Sequence, residues 1–162
     1  MGFLKNVFGQ SGVVSNLFDI TALPFTIRAL KEELLSKTNE LATLQQEVSA
    51  RSLEVQQCNF ALHQTEEELV KTETTFKTIA ALDDASTIIG PICAKLDTLK
   101  KQKTEEMELA RHAEEARSAA EAVHSALLLE IHTIQGRIDE LDGKVDRKKK
   151  ELNTHFLEIP FS

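Results

Sequence analysis

The stretch "IRALKEELLSKTNELATLQQEVSARSLEVQQCNFALHQTEEELVKTETTFKTI", residues 27–79, decides the fold. Stepping by seven from Ile27 meets Leu34, Leu41, Val48, Val55, Leu62, Leu69 and Phe76, all apolar. Three residues after each stand Leu30, Lys37, Leu44, Arg51, Cys58, Thr65, Thr72 and Ile79, half of them apolar. Such a sevenfold repeat keeps one stripe of a helix turned toward a partner as the two wind together, and so reads as a coiled-coil seam. Lys37 and Arg51 fit it by laying their aliphatic stems along the seam and holding their charges in water.

Working outward, the pattern breaks at "ALDDASTIIGPICAKL", residues 81–96. Asp83, Asp84 and Ser86 suit a turn or cap, Gly90 a helix boundary, and Pro91 the first turn of a new helix. The spacing predicts a helix over 24–82, a turn over 83–90 and a second helix over 91–157. In the second helix Ile92, Leu96 and Leu99 resume helical spacing. The alanine-rich part is expected to bury Leu109, Ala113, Ala116, Ala120, Val123 and Leu127. After a single four-residue shift the sevenfold repeat returns at Ile131, Ile138, Val145, Leu152 and Ile159. Two long helices on a short connection fold back most simply as an antiparallel hairpin. Each helix then buries only one stripe, so association with further copies into a bundle or polymer is expected. Folding over near residue 86 puts Cys58 near Glu115 and Cys93 near Ala80, too far apart for a disulfide. The same register brings His63 within a turn of His112.

Composition agrees with an all-α chain of one structural unit. Among 162 residues there is no Trp or Tyr, and no Gly or Pro stands between Pro24 and Gly90. The net charge of −7 argues against general nucleic-acid binding, which needs a clustered basic surface. No run approaches the ~18 apolar residues of a membrane span. The opening segment is a poor secretory signal, because "SNLFD" interrupts it. A cytoplasmic protein with peripheral membrane contact is expected.

The apolar residues that do not belong to the seam gather at the ends. Residues 1–23 form an amphipathic segment in which Phe3, Leu4, Val7, Phe8, Val14, Leu17 and Phe18, with Phe25 just beyond, share one helical side. Residues 158–162 form an apolar tail. The run "KVDRKKKE" concentrates Lys144, Arg147, Lys148, Lys149 and Lys150, and the fold-back carries it to the opening segment. Bulky aromatics on an amphipathic helix beside a basic cluster suit a membrane interface. The same apolar ends also suit self-assembly, or a local core closed over the end of the hairpin.

Chemistry finds no foothold. No nucleophile motif, phosphate loop, zinc spacing or paired catalytic carboxylate stands out, and the acidic runs lack the alternating ligands and glycine of a calcium loop. No cofactor, metal or enzymatic activity is expected.

"MGFLKNVFG" followed by a long helical hairpin resembles, in layout, the phage-shock-protein A and ESCRT-type membrane-remodelling proteins. The resemblance implies a membrane face made by Phe3, Leu4, Val7, Phe8, Val14, Leu17 and Phe18, and polymerisation through the hairpin. A vaguer likeness is to helical pore-forming toxins and fungal cell-death bundles. The leading expectation is therefore a non-enzymatic, self-assembling protein that meets anionic membranes through its opening helix. The alternatives are a soluble scaffold forming filaments or cages through its apolar ends, and a pore-forming effector.

Overall fold

A computed structural model describes residues 11–82, 84 and 86–157, with side chains between 22 and 154. Two helices account for nearly all of it: α1 (Ser11–Ala80) and α2 (Ser86–Leu157). No strand occurs among the described residues. At the end of α1, Lys77 sits in the last turn, where a cation meets the negative end of the helix dipole. The Leu82 amide then donates to the Ile79 carbonyl at 2.9 Å, which closes the turn.

Both helices outrun the bounds expected from sequence. α1 passes through Pro24 without interruption, so the described part of the opening segment is continuous with the hairpin helix. Pro24 has no N–H to offer the Ile20 carbonyl, a cost that normally ends a helix. Leu23, packed against the core beside it, holds the chain in register across that gap. α2 begins at Ser86, not at Pro91, and Gly90 lies inside it. Ile89 is half-buried one seam step before Ile92, so the helix gains apolar burial by starting early.

The contacts group the residues into two units. One comprises the chain up to Ala42 and from Ser125 onward; the other is Thr43–His124. In the first, Ile27, Ile138, Leu141 and Val145 are buried together, with Leu23, Leu30, Leu34 and Ile134 packed around them. In the second, Leu69, Leu96 and Leu99 form the core and Phe76 and Ile92 lie against it. In each unit later residues of α1 meet earlier residues of α2, so the helices run antiparallel.

All sixteen seam positions of α1 from Ile27 to Ile79 are buried or half-buried. The polar ones are accommodated individually. Thr65 is 4% exposed and accepts a hydrogen bond from Gln102 Nε2 at 3.3 Å. Thr72 donates to the Glu68 carbonyl one turn back, at 2.8 Å.

The seam of α2 differs from the one expected. Leu109 and Val123 are exposed, at 60% and 53%. The buried and half-buried row runs Ile92, Leu96, Leu99, Lys103, Glu106, Ala110, Ala113, Arg117, Ala120, His124, Leu127, Ile131, Ile134 and Ile138, alternately four and three apart. No four-residue shift is needed, because the heptad is unbroken and the step from Leu127 to Ile131 belongs to it. Following apolar residues alone leads off the seam at Leu109, since Glu106, Arg117 and His124 occupy seam positions. Three of their polar atoms, Glu106 Oε2, Arg117 Nε and His124 Nε2, are buried with no hydrogen-bond partner in the chain.

The register also shifts. Thr65 faces Gln102 and Lys37 faces Glu130, so the fold-back centres on the connection at 81–85 instead of near residue 86. Facing positions move by about six residues, or ~9 Å along the partner helix.

Candidate functional site

The core of the first unit lies between the turn after Pro24 and the start of the basic run. Ile27 packs among Ile138, Leu141 and Val145, which sets the turn after Pro24 beside the start of the basic run. Pro24, Ile27, Arg28, Lys31, Asp142 and Val145 line an open groove of about 320 Å³ between the two helices. Phe25 stands on this end 75% exposed, an unusual place for a phenylalanine that no local core claims. Lys144, Arg147, Lys149 and Lys150 are exposed and Lys148 is half-buried on the seam. Arg28 and Lys31 extend the cationic character across to α1, with Arg28 tied to Glu32 at 3.4 Å.

Of the proposed membrane face, Val14, Leu17 and Phe18 fall on the helical stretch that begins at Ser11. Phe3, Leu4, Val7 and Phe8 lie outside the described residues, as does the tail 158–162. Of the seam residues, Ile27, Val55, Leu69, Ile138 and Val145 are buried. Leu34, Leu41, Val48, Leu62, Phe76, Ile131 and Leu152 are half-buried.

The ion pairs between helices reinforce the antiparallel register. Lys37 Nζ donates to Glu130 Oε2 at 2.7 Å from a seam position. That hydrogen bond, with the nearby Glu33 and Glu40, raises the Lys37 pKa above its ordinary value. Lys95 meets Glu68 at 3.1 Å in the second unit. Lys103 also reaches across to Glu66, at 3.9 Å, and further pairs lie within one helix. Arg111 bonds Glu108 and Glu115, each at 2.5 Å, which raises its own pKa and lowers that of Glu108. Arg51 holds Glu54 at 3.2 Å, and Arg117 holds Glu114.

His63 pairs with Glu67 and His112 with Glu108, so the shifted register leaves the two histidines on separate local partners. No group of three or more potential metal ligands occurs among the described residues. Cys58 and Cys93 are half-buried thiols, not joined to each other. No helix among the described residues is long and apolar enough to cross a membrane.

Sequence reasoning missed the polar members of the α2 seam. The signal was present: the three-and-four stepping from Ile92 to Leu99 and from Leu127 to Val145 extrapolates through Lys103, Glu106, Arg117 and His124 from both sides.

Comparison of the chain with protein-family models, with curated proteins and with solved structures finds no match.

Proposed function

We propose that this chain is a non-enzymatic, self-associating helical hairpin that docks on anionic membranes by the end carrying its opening segment and its basic run. The observation that carries this reading is the packing of Ile27 among Ile138, Leu141 and Val145. It brings exposed Phe25 into one unit with the cluster Lys144–Lys150 in an otherwise acidic chain. Apolar insertion by Phe3, Leu4, Val7, Phe8, Val14, Leu17 and Phe18 supplies most of the binding free energy in this scheme. Each lysine near the anionic surface adds about 1 kcal/mol.

Co-flotation with anionic liposomes tests it. The full chain floats, whereas Phe8→Asp and a chain lacking residues 2–22 stay at the bottom. Charge reversal of Lys148, Lys149 and Lys150 to Glu weakens flotation on anionic vesicles and leaves neutral ones unaffected. If the shortened chain floats as well as the full one, the opening segment is not the anchor and the reading fails. Dye release from the same vesicles distinguishes docking from pore formation.

A further inference from the structure

In the second unit the two helices are not held alike along their length. Next to the connection, Leu69, Leu96 and Leu99 are buried together, with Phe76 and Ile92 against them. Polar contacts tie the helices across the same stretch: Gln102 to Thr65 at 3.3 Å, Lys95 to Glu68 at 3.1 Å and Lys103 to Glu66 at 3.9 Å. Farther from the connection, over residues 43–62 of α1 and 106–124 of α2, the buried side chains are Val55, Ala113 and Ala120. An alanine methyl removes only a fraction of the apolar surface from water that a leucine does, so this stretch gains less from closing.

The seam there also sets like against like. Thr65 faces Gln102, and counting fourteen residues back along α1 and fourteen forward along α2 brings Arg51 to within one residue of Arg117. Both are half-buried seam residues. Each guanidinium is drawn to a glutamate of its own helix, Arg51 to Glu54 at 3.2 Å and Arg117 to Glu114. Those pairs survive when the helices part. The same count sets Leu62 within one residue of Glu106. Glu106 Oε2, Arg117 Nε and His124 Nε2 are buried in this stretch without a hydrogen-bond partner in the chain, and opening returns each of them to water. Closing is rewarded least, and hydration most, at one place.

We infer that residues 43–62 of α1 and 106–124 of α2 form an opening built into the fold, where the helices part and rejoin while the core of Leu69, Leu96 and Leu99 stays closed. Stability within a folded chain is uneven, and the stretch with the fewest buried apolar contacts opens at the lowest free energy. The inference goes beyond the membrane reading and does not depend on it.

Native-state hydrogen exchange of the full chain, in lipid-free buffer with urea below the unfolding transition, tests it. Amides of 46–62 and 108–122 exchange at least about tenfold faster than those of 65–76 and 92–103. Their rates change little with urea, because a local opening exposes little surface, while amides beside the core speed up steeply. Fraying would give the reverse, since residues 65–76 and 92–103 lie nearer the ends of α1 and α2. Arg51→Leu/Arg117→Leu fills the seam and slows exchange of both stretches at least about tenfold.

A second measurement uses a side chain already on this seam, the half-buried Cys58. With Cys93→Ser, a thiol reagent labels Cys58 at a rate nearly independent of low urea, and the double arginine variant slows the labelling. Exchange in the two stretches as slow as beside the core, or a steep urea dependence there, would overturn the inference. So would a folded double variant that changes neither exchange nor labelling. The wild-type exchange pattern decides by itself if that variant does not fold.

Discussion

Ile138, at 2% exposure, is the most enclosed side chain among the described residues, held by Ile27, Leu141 and Val145. Truncating it leaves a cavity that the two helices cannot close without losing contact on either side. Ile138→Ala therefore costs about 2–5 kcal/mol in urea unfolding, while Leu129→Ala, at a 69% exposed position, stays within about 0.5 kcal/mol. Equal effects would mean that the buried stripe is misassigned. Lys37 makes a different kind of contribution. Its pKa is raised in the folded chain by the hydrogen bond to Glu130, so the pair stabilises fully below the ordinary lysine value of 10.5. The contribution is lost as pH rises through the higher folded value. Thermal melting of the wild type accordingly falls more steeply above pH 10.5 than that of Lys37→Met, and the two curves run parallel at lower pH.

At the scale of the element, α2 carries its weakness in the seam itself. Glu106, Arg117 and His124 occupy positions where a coiled coil wants apolar side chains, and each leaves a buried polar atom without a partner. Arg117→Leu removes such an atom and adds apolar burial, while Glu114, half-exposed, remains hydrated. The substitution stabilises the chain by about 1 kcal/mol in urea or thermal unfolding. A loss of stability would mean that the Arg117–Glu114 pair is worth more than the burial of a leucine. Along the same helix a Cβ added at Gly136 or Gly143 would meet nothing within 4 Å, so neither glycine marks a close approach and the helix runs through both. Proline tells the same story. Pro24 and Pro91 both lie inside helices, because seam residues on either side of each are packed and outweigh one missing backbone hydrogen bond.

For the whole molecule, the functional reading predicts a salt dependence. Cationic side chains near an anionic bilayer act through a screened field, whereas apolar insertion does not. Flotation on anionic vesicles weakens as ionic strength rises, and at high salt it converges on the value of the chain with Lys148, Lys149 and Lys150 reversed. Salt-independent flotation would remove the basic run from the docking scheme and leave apolar insertion alone.

Much of the architecture was legible residue by residue. The repeat from Ile27 to Phe76 identifies a helix with one buried stripe, because a spacing of seven admits only that geometry over so many turns. The turn chemistry of residues 83–86 places the reversal between two helices. The opening segment and the basic run are likewise visible as composition, although what they touch is a proposal. The tertiary structure decided what periodicity leaves open. In the alanine-rich part of α2, two adjacent stripes are almost equally apolar, and local pattern prefers the one through Leu109 and Val123. The packing selects the other, with Arg117 and His124 on it, because the strongly apolar seams at both ends of the helix fix its rotation throughout. The register was decided the same way. A turn motif locates a reversal to within a few residues, but only the contacts of Thr65 with Gln102 and of Lys37 with Glu130 determine which turns of the two helices meet.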